Sequence, residues 1–168
     1  MKENLGMLFT ILIMLSCGQQ ENTKEDDTVT KGNISTTLST DTTKLSRLIN
    51  IKDYKPTSAK FKYVLADNSG KNERLTVPGP SDSHLQAILY FDKTTFQKLK
   101  TKYFSIDYTS PNYSQTEFSF DWLDEDVKDE LMRSDTSYHG QQDYFLSLGQ
   151  SGKLWFLNNK VLLSVNRN

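Results

Sequence analysis

The chain contains very little cysteine and histidine. Its 168 residues include one cysteine, Cys17, and two histidines, His84 and His139. A single cysteine cannot form an intramolecular disulfide, and neither histidine stands in a spaced metal-binding motif such as His-x-x-x-His. The sequence therefore predicts a fold without an internal disulfide, and we expect no metal ion or other cofactor.

Several common functional signals are also missing. The sequence has no glycine-rich phosphate loop, no Gly-x-Ser-x-Gly nucleophile motif and no Asp-x-Asp-x-Asp-Gly calcium loop. The formal net charge is −1 at pH 7, which gives no reason to expect nucleic acid as a partner. The mostly apolar stretch of residues 5–15 is shorter than the roughly 20 residues that a membrane-spanning helix needs.

That short apolar stretch is typical of a secretory signal peptide, because it follows the cationic Lys2 and ends at a small residue, Ser16. The sequence Leu15-Ser16-Cys17 followed by Gly18 resembles the lipobox of bacterial lipoproteins. In that family the cysteine is lipidated and becomes the first residue of the mature chain. The resemblance implies a signal peptide over residues 1–16 and a lipid anchor on Cys17, which would exclude Cys17 as a catalytic thiol.

The residues after Cys17 are mostly polar. The acids Glu25-Asp26-Asp27 resemble the export signals of surface-exposed lipoproteins of the Bacteroidota type, although acidic residues also keep any linker solvated. Only three apolar residues follow before residue 44, namely Val29, Ile34 and Leu38. Because so little apolar surface cannot offset the entropy of ordering a backbone, the composition predicts a disordered tether over residues 17–47.

The remaining residues, 48–168, are enough for one domain with its own core. Alternating apolar residues predict strands at 59–66, 84–91, 104–108 and 118–122. Helical spacing predicts two short amphipathic helices, at 93–103 and 124–133. Three further strands, at 144–148, 154–157 and 161–165, predict a C-terminal meander. The expected fold class is α+β, with helices packed on a mostly antiparallel sheet.

The most distinctive stretch of this domain is Pro78-Gly79-Pro80-Ser81-Asp82, which precedes the strand that contains His84. It is either a rigid binding loop beside a sheet or a stiff connector. Ser81, Asp82 and His84 also group the residue types of a hydrolytic triad, although triads are assembled by the fold and not by adjacency. Trp122 is a further candidate, because an exposed aromatic side chain can line a sugar or peptide site.

Charge is unevenly distributed along the domain. Its start is basic, with Lys52, Lys55, Lys60, Lys62 and Lys71, and the second predicted helix is acidic, with Asp121, Asp124, Glu125, Asp126, Asp129 and Glu130 in and before it. Either the two regions neutralise each other across the fold, or they form oppositely charged faces that orient a partner.

We therefore expect a lipid-anchored protein of the bacterial cell envelope, held at the outer membrane and facing the periplasm or the outside. A binding module for a protein or glycan partner fits the sequence better than an enzyme. Two alternatives remain open. One is a small envelope hydrolase that uses His84 or His139 with carboxylates, and the other is an inhibitor or immunity-type lipoprotein that binds a protein through its acidic helix.

Overall fold

The computed structural model describes residues 26–68, 81–105, 113–136, 139–141 and 151–167. These residues form one antiparallel sheet in the order β1-β2-β3-β4-β7-β6-β5. Its seven strands are, in chain order, β1 Asp26–Lys31, β2 Ile34–Ser39, β3 Ser58–Ala66, β4 Asp82–Tyr90, β5 His139–Gln141, β6 Ser151–Phe156 and β7 Lys160–Arg167.

Within the described ranges, three α-helices and one short 3-10 helix pack on this sheet. They are α1 Thr42–Leu48, α2 Lys93–Phe104, the 3-10 helix Gln115–Phe118 and α3 Glu125–Arg133. Aspartates begin α1 and α2, since the Asp41 carboxylate accepts the Thr43 N–H at 2.8 Å and the Asp92 carboxylate accepts the Thr95 N–H at 2.9 Å. Among the described residues, no helix combines the length and the apolar content that crossing a membrane requires.

The first face of the sheet is covered by α1 and α2. Phe61 on β3, Leu85 on β4 and Leu163 on β7 are less than 5% exposed on this face. Leu45 of α1 and Leu99 of α2 are fully buried against the same cluster. Because successive strand residues point to opposite faces, the intervening residues face the other side.

The second face is covered by the 3-10 helix and α3. Trp155 on β6 is fully buried there, and its ring centroid lies 5.6 Å from that of Phe118. The Trp155 indole N–H donates to the Ser134 hydroxyl at 2.7 Å. Val127 and Leu131 of α3 complete this second cluster. The fold is therefore a sheet between two helical layers, and the predicted α+β class with helices on an antiparallel sheet is confirmed.

The C-terminal part of the sheet is only partly described. The hairpin of β6 and β7 is present and turns at Asn158-Asn159, where Asn159 adopts a positive φ of 53°. Asparagine tolerates this left-handed conformation better than most residues do. The predicted first strand of the meander, residues 144–148, lies outside the described residues.

The prediction of a disordered tether is wrong from residue 26 onward. β1 pairs with β2 along six residues, β2 pairs with β3, and α1 buries Leu45 in the first core cluster. Hydrogen bonds to an existing sheet edge and one buried helix contact order this polar stretch, although it carries few apolar side chains. The folded part therefore begins before the predicted boundary at residue 48. Residues 1–25, including Cys17, lie outside the described residues.

The predicted strand at 118–122 is also wrong. Its alternating aromatics belong to the end of the 3-10 helix and a tight turn, in which Phe120 N–H donates to the Phe118 carbonyl at 2.9 Å. Phe118 and Phe120 are both buried, and Trp122 stacks on Phe120 at 5.6 Å between ring centroids. An irregular segment lying across a sheet can thus show the same period of two as a strand. The predicted strand at 104–108 begins within α2, and residues 106–112 lie outside the described residues.

Candidate functional site

The distinctive proline-rich stretch lies mostly outside the described residues, which exclude Pro78, Gly79 and Pro80. Its last two residues are described, and both are exposed where β4 begins. The Ser81 hydroxyl donates to the Asp67 carboxylate at 3.4 Å, and this contact joins the start of β4 to the end of β3. Asp82 is the first residue of β4 and lies opposite Ala66.

His84 is half-buried on β4, and its ring Nδ1 lies 2.6 Å from the Asn166 side-chain oxygen on β7. An N–H at Nδ1 donating to that oxygen fits the contact. His139 lies on β5, which is separated from β4 by β7 and β6. Three strand spacings amount to about 14 Å, so the two histidines do not belong to one site. Among the residues described, no group of three or more His, Cys, Asp or Glu side chains could hold a metal ion.

Trp122 is half-buried beside the second face of the sheet. Its indole N–H donates to the Gln86 side-chain oxygen at 2.9 Å, and the Lys60 Nζ lies 5.9 Å from its ring centroid. Gln86 and His84 point to the same face of β4, because they are two residues apart in a strand. The structure therefore brings Trp122 and His84 to the same face of the sheet. Trp122 also stacks on Phe120 and packs against the second core cluster.

The basic and acidic regions pair with each other. Lys62 Nζ lies 2.9 Å from the Asp121 carboxylate, and Lys60 Nζ lies 3.4 Å from Asp124. The hydrogen bond from Lys62 lowers the pKa of Asp121 below its ordinary value. The first interpretation of the uneven charge, that the two regions neutralise each other across the fold, is confirmed for these pairs. Asp126 and Asp129 remain exposed on α3.

A cleft that no sequence pattern predicted lies elsewhere in the described part of the chain. A cleft of about 650 Å³ opens at one end of the sheet, where α2, α3 and the β6–β7 turn meet. Its lining residues are Lys93, Phe96, Gln97, Lys100, Glu130, Arg133, Ser134, Asp135, Phe156, Leu157, Asn158 and Asn159. This volume lies within the range of small-molecule sites, roughly 300–1,000 Å³.

The floor of the cleft is apolar and consists of core side chains. Phe96 of α2 and Phe156 of β6 are less than 6% exposed and meet edge to face, with 6.0 Å between ring centroids. Leu157 continues this surface toward the turn and is 7% exposed. These side chains already belong to the two core clusters, so a ligand would meet a preformed surface.

The rim of the cleft carries more positive than negative charge. Lys93, Lys100 and Arg133 line it, together with the two acids Glu130 and Asp135. The Glu130 carboxylate makes a close ion pair with Lys160 and also accepts the Asn158 backbone N–H at 2.7 Å. Lys160 therefore compensates the charge of Glu130 within the fold. An apolar floor with a cationic and amide-rich rim suits a ligand that carries carboxylates.

Little in the sequence pointed to this cleft. The lysines of α2 and the Asn158-Asn159 turn are visible in the sequence, yet they lie more than 50 residues apart and meet only in the fold. Comparisons with protein-family models, with curated proteins and with solved structures give no match.

Proposed function

We propose that this chain is a lipid-anchored binding module of the bacterial cell envelope, and that the cleft between α2 and α3 binds a carboxylate-bearing ligand of peptide or glycan origin. The envelope location rests on the lipobox-like Leu15-Ser16-Cys17 after a short apolar stretch. The binding role rests on one observation, the preformed apolar cleft with its cationic rim.

The rim supplies donors suited to carboxylates. Lysine presents a compact charge with three N–H donors, and the arginine guanidinium presents a planar fork that matches a carboxylate. Gln97 and Asn158 add neutral amide groups to the lining, which suit the hydroxyl and amide groups of sugars and peptides. The aromatic floor would contact the apolar faces of such ligands.

Binding is preferred to hydrolysis for a structural reason. The hydrolase alternative relied on His84 or His139 acting with carboxylates. His84 contacts an amide oxygen, that of Asn166, at 2.6 Å.

The inhibitor alternative relied on acids before and within α3, of which Asp121 and Asp124 already pair with lysines of β3. These internal pairs leave less charge for an external partner.

The anchor is tested by feeding producing cells an alkyne-tagged fatty acid and detecting the tag on the purified chain. We expect label on the parent and none on Cys17→Ser. Equal labelling of the two chains would contradict anchoring at Cys17. Protease treatment of intact cells then separates the two orientations, because only a surface-facing domain would be cleaved before the outer membrane is permeabilised.

The cleft is tested by calorimetric titration of the full chain with tetraglutamate and, separately, with trigalacturonate. We expect one of these probes to bind and its neutral counterpart, tetraglutamine or a neutral trisaccharide, to bind at least about tenfold more weakly. Lys93→Glu should weaken binding about tenfold or more. Lys98→Glu is the matched control, because Lys98 is exposed on the same helix and does not line the cleft.

Equal effects of Lys93→Glu and Lys98→Glu would show that binding follows overall charge and not the cleft. Absence of binding by both acidic probes would contradict the proposed ligand class. Either result leaves the anchoring experiment unaffected, so the two parts of the proposal can fail separately.

A further inference from the structure

The edge strand β1 is unusually exposed. All six of its residues are exposed, and Val29 is 57% exposed. β1 pairs with β2 on one side, and no strand of the described chain lies on its other side. Such an edge presents backbone N–H and C=O groups that can pair with another strand.

The exposed apolar side chains of this region lie on one face. Val29 lies opposite Thr36 of β2, and Ile34 lies opposite Lys31. Because these residues alternate with those that face α1, Val29 and Ile34 project from the second face of the sheet, beyond the part that α3 covers. Ile34 is 45% exposed, so the apolar surface extends from β1 onto β2.

The charged residues of β1 are placed so that two antiparallel copies of the strand would pair opposite charges. Reading outward from Val29, Asp27 lies two residues before it and Lys31 two residues after it. If two copies of β1 pair antiparallel with Val29 opposite Val29, then Asp27 of each copy lies opposite Lys31 of the other. All three side chains share one face of the strand, because they are separated by two residues.

We propose that β1 is a self-association edge, through which two copies of this chain join their sheets antiparallel about Val29. The proposed partner strand is β1 of a second copy, because antiparallel pairing of two copies brings opposite charges together. In this register, a central apolar pair is flanked by two opposite-charge pairs, each of which stabilises a cross-strand contact. Ile34 of each copy lies in the row of one of these ion pairs, which extends the buried apolar surface. The pairing requires neither the lipid nor a ligand in the cleft.

The test uses disulfide trapping in cells that produce the full chain. Val29→Cys should form a covalent dimer on mild oxidation, since directly opposed strand residues have Cα atoms about 4.5–5.5 Å apart, within the range that a disulfide spans. Thr30→Cys should not, because the two copies of residue 30 would lie about 8 Å apart in this register. Met132→Cys is the control for random collision, because Met132 on α3 is 54% exposed. The parent chain controls for Cys17.

Charge exchange tests the register in the Val29→Cys background. Lys31→Asp replaces two attractive contacts per dimer by two repulsive ones, and the trapped dimer should fall about fivefold. Asp27→Lys should have the same effect. The double variant Asp27→Lys with Lys31→Asp restores opposite charges in the same register, and it should restore the yield. A general unfolding caused by either substitution would not be repaired in this way.

Two results would overturn the proposal. One is a dimer yield for Val29→Cys no higher than that for Met132→Cys. The other is a double charge variant that dimerises no better than the single variants, which would show that Asp27 and Lys31 of two copies do not lie opposite each other.

Discussion

The two ends of the sheet differ in how they are held. The strands β4, β7 and β6 are covered on both faces, and Trp155, Leu162 and Leu163 among them are fully buried. The hairpin of β1 and β2 is held mainly by backbone pairing to β3 and by α1. The free energy of unfolding should therefore be distributed unevenly along the sheet, as local opening energies are in proteins generally.

This difference also separates the surfaces with proposed functions. The cleft is built on the doubly covered end, where its aromatic floor belongs to the core. The self-association edge belongs to the hairpin, where side chains are exposed. The proposed ligand contact would thus use the end of the sheet that is covered on both faces, and the proposed contact between copies would use the more exposed end.

The largest effect is expected from truncation in the doubly covered region. Trp155→Ala removes a fully buried ring that contacts Phe118 and bonds Ser134, and it should lower the free energy of unfolding by about 3–5 kcal/mol. Urea denaturation measures this. Val29→Ala at the exposed edge is the control, with an expected change below about 0.5 kcal/mol. Similar losses for both variants would remove the distinction between the two ends.

A smaller and more local effect is expected from Leu45→Ala. Leu45 is the buried residue of α1, and its truncation should cost about 2–4 kcal/mol. Because α1 follows directly after β2, hydrogen exchange should accelerate more for the amides of β1 and β2 than for those of β7. Uniform acceleration along the whole sheet would show that the hairpin and the covered strands unfold together.

The hairpin turn gives a third measure. Gly32 adopts a φ of +60°, and no atom within 4 Å would meet an added Cβ. Gly32→Ala should therefore destabilise the hairpin through backbone strain alone, by about 1 kcal/mol. The readout is hydrogen exchange of β1. Unchanged exchange rates would show that the turn relaxes without strain.

The smallest effect is expected from Lys62→Gln. The pKa of Asp121 is lowered by the Lys62 hydrogen bond, so the pair stabilises the fold above the ordinary carboxylate pKa and loses this effect as pH falls through the lowered one. Both groups are partly exposed and solvent screens the pair, so the loss at neutral pH should be at most about 1 kcal/mol. Urea denaturation should show this difference at about pH 7 and none at about pH 2, with Lys98→Gln as the control. If Lys62→Gln still lowers the free energy of unfolding in acid, the loss comes from packing of the Lys62 side chain and not from the ion pair.

The covered region was largely predictable from the sequence. Strands β3 and β4 alternate apolar residues, and α2 and α3 repeat them at helical spacing, because each element buries one face against a core. The predicted bounds of α2, residues 93–103, differ from the observed Lys93–Phe104 by one residue. Apolar periodicity therefore predicts those elements that are ordered by burying one face against a core.

The hairpin was not predicted, because its order comes from pairing to an existing edge and not from its own apolar content. Signals were nevertheless present in β-branched threonines and in Gly32-Asn33, which is a turn sequence. The cleft could not be predicted for another reason. Its floor and rim come from α2, α3 and the β6–β7 turn, and no local pattern records which distant segments will meet.

The position of β7 has a consequence for the time at which folding can be completed. β7 is synthesised after all the other described strands, yet it lies between β4 and β6 and joins the two parts of the sheet. His84 and Asn166, which meet across this junction, are 82 residues apart in the chain. The sheet cannot close on the ribosome until β7 has emerged.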